Sequence, residues 1–476
     1  MRNTKIVATL GPATDSPESL HGLFEAGVNV FRLNASHSNW DQHTARMAAV
    51  RKAAIEFGVQ VAILLDLQGP KIRLGEFEGG GCELQTGAFF TISSKPTMGS
   101  ATEAYCTYQP LPSEVRPGDR VLLNDGAVEL EAISSDATSV RFTVISGGPV
   151  GNHKGVNLPG VKLSTPALTE KDAEDLDRGL DADVDFVALS FVRNANDVYQ
   201  LRRRLEERES RAMLIAKIEK PEGWENIESV LDASDGVMVA RGDLGVELPL
   251  ERVPFIQKRM IELARQKGKF VITATQMLES MIDNARPTRA EVSDVANAIC
   301  DGTDAVMLSA ETSVGHNPAA AVHTMGTIAV ETEGWLRPKG FPDPLPRVTP
   351  SNAEIVAEAA YHAARSASVA AIIVFTTSGV TARLISRYRP PVPIYAFTQN
   401  SDVARQLTVS FGVHPILAPE VLTTERMLLQ MEQALLERGL LHPGDNVVFV
   451  AGQPIGHIAS TNLMKLHRLE RVEPRA

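Results

Sequence analysis

Residues 213–223 read MLIAKIEKPEG. Five of the first six are apolar, as in a buried strand, yet Lys217 and Glu219 stand at its end. Residues two apart in a strand share a face, so an ammonium and a carboxylate are aimed at one place. Similar runs recur at 4–11, 28–36, 61–68, 185–192, 236–243, 270–277 and 305–311, separated by amphipathic helical stretches. In SPESLHGLFEAG, for example, Ser16 can cap a helix, Pro17 fits its first position and Gly27 its stop. With the run at 214–219 this makes eight strands, each followed by a helix, and predicts an α/β fold with a (β/α)₈ TIM barrel.

One connection is far too long for that pattern. More than a hundred residues separate the third and fourth runs, and much of that stretch reads as short β segments with the turn signals EGGG, RPGD, NDG and GGPVGN. An inserted all-β domain accounts for it, placed where barrel enzymes keep their chemistry and so able to act as a lid. A proline-rich linker at 336–351 then precedes a second alternation of helix and strand patterns. The expected division is 1–68 with 165–344 for a catalytic barrel, 69–164 for a β-barrel-like lid, and 345–476 for a regulatory open α/β domain.

Composition narrows the function. The net charge of −11 argues against a nucleic-acid or anionic-membrane binder. No stretch approaches the roughly 18 apolar residues of a membrane span. The N-terminus has no charged leader followed by an apolar block, so a cytoplasmic location is expected. Cys82, Cys106 and Cys300 are far apart and odd in number, which supports neither a disulfide framework nor a thiolate metal site.

The barrel assignment predicts that catalytic groups gather where strands end. Arg32, Asn34 and Ser36 end the second run, Asp66 the third, Lys217 and Glu219 the fifth, and Arg241 and Asp243 the sixth. Thr273 and Thr275 end the seventh, Ser309 and Glu311 the eighth. Polar residues also end strands merely because they meet solvent, but buried charge pairs are weak stability devices, and so many on one rim point to a metal and an anionic substrate. Glu219 and Asp243 offer two oxygen ligands without His or Cys, which suits Mg²⁺ rather than zinc. After the sixth run, ARGDLG supplies Gly242 and the start of a short helix whose backbone N–H groups can receive a carboxylate or phosphate. Arg32 and Lys217 would neutralise a phosphoryl group in transfer.

TKIVATLGPA, FRLNASH, KGVNLPG, AKIEKPEG, GVMVARGDLGVE, ATQMLESM and RPTRAEVSDVANA closely resemble the pyruvate kinase family, nearly end to end. The resemblance implies phosphoryl transfer from phosphoenolpyruvate to ADP, giving pyruvate and ATP. It further implies Glu219 and Asp243 as Mg²⁺ ligands, with Mn²⁺ as a substitute, and Lys217 as the phosphoryl-transfer lysine. Arg32 would contact the phosphoryl group. Thr275, Gly242 and Asp243 would grip the substrate carboxylate, while Thr275 and Ser309 order the protonating water. Asn34, His37 and Arg73 match positions on the nucleotide side. A homotetramer is implied in the same way.

Departures from the family pattern carry their own expectations. The segment DLQGPKIRLG, with Leu67 and Lys71, resembles the K⁺-independent members, so K⁺ is not expected to be required, although Asn34, Ser36 and Asp66 of the K⁺ shell are retained. Asn194 and Val314 replace lysines often seen near the nucleotide. In the last domain Thr376, Thr377, Ser378, Gly379 and Thr381 lie at a strand-to-helix junction. They fit either an ordinary helix cap or an effector phosphate site for a phosphorylated sugar or AMP. A metal-dependent lyase or aldolase on a TIM barrel remains the alternative enzyme, and a catalytically dead sensor the alternative outside catalysis.

Overall fold

In the computed structural model the described residues are 2–341, 350–366, 368–420, 423–453 and 461–470. Eight parallel strands close a barrel: β1 (Lys5–Thr9), β2 (Val30–Asn34), β3 (Ala62–Asp66), β4 (Phe186–Leu189), β5 (Met213–Ile218), β6 (Gly236–Ala240), β7 (Phe270–Ala274) and β8 (Ala305–Leu308). Each pairs with its neighbours in the chain, and β8 closes on β1.

Two apolar layers hold the ring together. Val30, Leu64, Ala188, Ile215 and Met307 belong to the cluster inside it. Residues of the opposite parity, such as Phe31, Leu65 and Leu214, pack in the cluster beneath the surrounding helices. Continuing each inner row by two residues reaches the upper rim at Arg32, Asp66, Ser190, Lys217 and Ser309. Arg32, Lys217 and Ser309 are thus part of the top layer of the barrel's own filling.

The floor follows a different rule. One residue before each even-numbered strand stands Asn29, Asp185, Asp235 or Asp304. Its side chain accepts the backbone N–H of the second residue of the preceding strand: Ile6 at 3.0 Å, Ile63 at 2.7 Å, Leu214 at 2.8 Å and Val271 at 3.0 Å. Backbone donors at the barrel's buried lower end are satisfied in this way.

After β3 the chain enters the insert. Gly69 turns with φ +68°, where a Cβ would lie 2.8 Å from the Phe191 ring and 2.9 Å from the Ser190 side chain, so both conformation and space demand glycine. The insert contains a two-stranded ladder (Gly81–Leu84 with Gly148–Gly151) and a six-stranded sheet. The insert is thus the all-β unit expected, with one helical turn at Leu111–Glu114.

The last domain is a five-stranded sheet: β9 (Val369–Phe375), β10 (Ile394–Thr398), β11 (Val413–Leu417), β12 (Asn446–Gly452) and β13 (Thr461–Arg468), in the order β11-β10-β9-β12-β13. It docks on the barrel floor. Arg389 pairs with Asp304 at 3.0 Å, Arg405 with Asp185 at 2.5 Å, and Val409 joins the barrel's inner apolar cluster. Linker residues 342–349 lie outside the described residues, as do 454–460 of the late loop AGQPIGHIAS. The three cysteines are free thiols. Among the described residues no helix is long and apolar enough to cross a membrane.

Candidate active site

Lys217 is the centre of the rim. Its ammonium lies 3.0 Å from Asp66, 2.9 Å from Glu219, and donates to the Ser190 hydroxyl at 2.7 Å. Ser190 in turn donates to the carbonyl of Leu67 at 2.7 Å, which ties β4 to the start of the insert. The second oxygen of Asp66 takes Arg32 Nε and Nη2, each at 2.7 Å, and Arg32 Nη1 donates to the Thr9 hydroxyl at 3.0 Å. Asp66 and Glu219 are each 1% exposed.

Burial disfavours the Lys217 ammonium, but Asp66 and Glu219 hold its pKa above the ordinary lysine value. For Asp66, burial pushes upward, yet Lys217 and Arg32 together keep it below the usual carboxylate range. Glu219 goes the other way: burial raises it, Lys217 opposes, and Asp243 adds to the rise. Three carboxylates (Asp66, Glu219, Asp243) therefore face two cations (Arg32, Lys217), a deficit of positive charge.

That imbalance is the test of a divalent metal at this place. Among the described residues no three His, Cys, Asp or Glu side chains form a closed metal cage. Two carboxylates on an open rim, short of positive charge, fit a hard cation that retains water and takes substrate oxygens.

Asp243 lies on the short helix expected at ARGDLG rather than on the strand itself. β6 ends at Ala240, and Asp243 is the third residue of a short helix, Arg241–Glu247, where backbone N–H groups lack intrahelical partners. Gly242 N–H donates to the Thr275 hydroxyl at 2.8 Å, and that hydroxyl donates to the Ala274 carbonyl at 2.6 Å. Thr275 and Gln276 have φ of +69° and +53°, and Phe191, whose N–H donates to Glu219 at 2.8 Å, has +55°. Strained backbone of this kind collects at functional sites.

Three strand-end candidates point elsewhere. Arg241 pairs with Asp294 at 2.7 Å and donates to the Thr275 carbonyl at 2.6 Å. Thr273 is buried against the Thr303 hydroxyl at 3.0 Å. Glu311 accepts the N–H groups of Leu278 and Ser309 at 3.1 and 2.7 Å. Their neighbours in sequence reach the rim, but these three serve the scaffold.

Around the nucleotide candidates, the Asn34 side chain accepts from Ser36 N–H at 3.1 Å, His37 is exposed, and Arg73 donates to the His153 carbonyl at 3.0 Å. Burial first, then Lys71, Arg73 and Arg32, lowers the His37 pKa. A cavity between insert and rim is lined in part by Lys71, Asp125, Asn157, Arg193, Lys220 and Asp243. Asn194 caps the helix Ala195–Glu207 and Val314 is exposed, so the two departures at lysine positions are a cap and a surface residue.

Far from the rim, Thr376 accepts from Gly379 N–H at 2.9 Å and Thr381 shares a 2.6 Å hydrogen bond with Thr461. Both threonines are buried, leaving Thr377 and Ser378 half-buried at the junction. Sequence reasoning missed Ser190, Thr9 and the N–H of Phe191. Ser190 had a signal, since it continues the Phe186–Ala188 row by two; the Phe191 N–H had none.

Residues 1–322 match the family model described as pyruvate kinase, barrel domain, and residues 354–467 match pyruvate kinase, alpha/beta domain. The chain belongs to the pyruvate kinase family. It is 47% identical over 470 residues to the pyruvate kinase of Geobacillus stearothermophilus, covering 98% of this chain and 80% of that one. Identity is also 47% to the pyruvate kinase of Mycobacterium intracellulare, with 98% of each chain covered. The structure of a pyruvate kinase from Cryptosporidium parvum superposes with a TM-score of 0.92 at 37% identity, over 98% of this chain and 96% of that one. As a pyruvate kinase the chain is a phosphotransferase of glycolysis: it moves the phosphoryl group of phosphoenolpyruvate to ADP, giving pyruvate and ATP. Pyruvate kinases need a divalent metal for this reaction. The lyase or aldolase reading falls away with the family assignment.

Proposed function

We propose that the rim around Lys217 carries out the transfer. The observation behind this reading is that a buried ammonium sits between two carboxylates and a hydroxyl, at 3.0, 2.9 and 2.7 Å. With its pKa raised, Lys217 stays charged and is suited to a fixed positive role rather than to proton abstraction. It and Arg32 stabilise the phosphoryl group in transfer, and Lys217 the enolate oxygen left behind. Glu219 and Asp243 would hold Mg²⁺, or Mn²⁺ in its place. Such a cation, when bound, balances the negative oxygens of phosphoenolpyruvate. The Gly242 N–H and the Thr275 hydroxyl exchange their internal bonds for the substrate carboxylate, which the Asp243 N–H also receives. Thr275 and Ser309 order the water that protonates the enolate. His37, whose lowered pKa keeps it neutral at pH 7, binds nucleotide together with Asn34 and Arg73 beneath the insert.

K⁺ is not required in this reading. Both oxygens of Asp66 are already balanced by Lys217 and Arg32, and Lys71 adds a fixed positive charge close to His37. Leu67, buried in the same region, offers no side-chain oxygen. Pyruvate release from phosphoenolpyruvate and ADP with excess Mg²⁺, in K⁺-free Tris and again with K⁺ added, is expected to run equally in both buffers. Strong activation by K⁺ would remove Lys71 from this role.

The division into 1–68 with 165–344, 69–164 and 345–476 accompanies the proposal, as do a cytoplasmic location and a homotetramer. Thr376, Thr377, Ser378, Gly379 and Thr381 are proposed to receive the phosphate of a sugar phosphate or AMP. Thr377, Ser378 and the backbone are the groups open to it, because the Thr376 and Thr381 hydroxyls serve the fold. Inhibition or activation by either ligand that disappears in Ser378→Asp would support the assignment; an unchanged response would remove it.

A further inference from the structure

The residue after Glu219 is a second buried lysine. Lys220 Nζ lies 2.6 Å from Glu247 Oε1, with only 10% and 1% of the two side chains exposed. Lys220 follows one proposed metal ligand in the chain. Glu247 ends the helix Arg241–Glu247, one turn beyond the other ligand, Asp243. The pair thus cross-links the two segments that carry the metal carboxylates. A third group reaches it from the insert: Asn157 Nδ2 donates to the same Glu247 oxygen at 3.2 Å. The other oxygen, Glu247 Oε2, is buried without a hydrogen-bond partner. A buried ion pair left incomplete in this way is poorly explained as a stability device.

We propose that Lys220 and Glu247 form a positioning brace that sets the separation of Glu219 and Asp243, and that Asn157 couples the lid to it. This rests on the reading of Glu219 and Asp243 as the metal ligands. Groups that orient metal ligands from behind typically alter metal affinity about 10–100-fold when removed. Neither Lys220 nor Glu247 need touch substrate for this to hold.

The test is Mn²⁺ binding to the full chain without substrate, read from the free-ion electron paramagnetic resonance signal. Lys220→Met is expected to weaken binding about 10–100-fold, with Lys220→Arg recovering most of it. The paired variant Lys220→Met/Glu247→Leu leaves no unbalanced buried charge, so it keeps the fold while affinity stays low. Glu219→Gln is the control and should abolish binding. Asn157→Ala is expected to raise KM for ADP about fivefold with a smaller change in kcat. Native Mn²⁺ affinity in the paired variant, with Glu219→Gln inactive in binding, would overturn the brace and leave the metal site standing. Native affinity in Glu219→Gln would overturn the metal reading and the brace together. An unchanged KM for ADP in Asn157→Ala would remove the lid coupling alone.

Discussion

At the rim, Lys217 stands between Asp66 and Glu219 with Arg32 behind. At the floor, Arg389 grips Asp304 at 3.0 Å with 1% and 4% of the side chains exposed. Both ends of the barrel bury charge, and both place it within two residues of a strand. They differ in what is left over. Asp304 accepts from Val271 N–H, Phe411 N–H and Arg389, so its capacity is filled by backbone and one arginine. At the rim three carboxylates share two cations, and Asp243 is half-buried. A polar strand end therefore marks chemistry when its charge is unbalanced. The same residue types mark docking when each carboxylate is matched by its partners.

Substitutions can break this contrast. The largest effect is expected for Glu219→Gln, which should lower kcat/KM by about 10³-fold and abolish saturation by divalent metal while the melting temperature holds; kinetics at varied Mg²⁺ would show it. On the floor, Arg389→Leu leaves Asp304 buried and unpaired and should remove about 3–5 kcal/mol of stability in denaturant unfolding, with turnover per folded molecule near native.

The acid limb offers a subtler distinction. Asp66 has a pKa lowered in the folded state, so its stabilisation is complete above the unfolded value of about 3.9 and is lost as pH falls through the folded one. Asp66→Asn should flatten the loss of stability below about pH 4 in unfolding curves taken from pH 3 to 6. The smallest effect belongs to exposed Lys71: Lys71→Ala should reduce turnover about tenfold or less and make it rise on addition of K⁺.

The sequence makes the barrel legible because its eight strands are apolar runs whose rows end in Arg32, Asp66, Lys217 and Ser309. The period of two that buries Ile215 also delivers Lys217. ARGDLG likewise marks the short helix that carries Asp243. Two things were hidden. Arg241 and Glu311 have the right composition for a site, yet their partners, Asp294 for one and the Leu278 and Ser309 amides for the other, decide otherwise. The floor's acceptors at 29, 185, 235 and 304 pair with arginines and amides too distant in sequence for local pattern to link them.

The most direct test sets one residue from each end side by side: pyruvate formation per folded molecule, with melting temperature, for Lys217→Met and Arg389→Leu in one buffer. The expected result is a loss of about 10³-fold or more in turnover per folded molecule for the first, and lowered melting with turnover within about threefold of native for the second. Native turnover in Lys217→Met would contradict the assignment of chemistry to the rim.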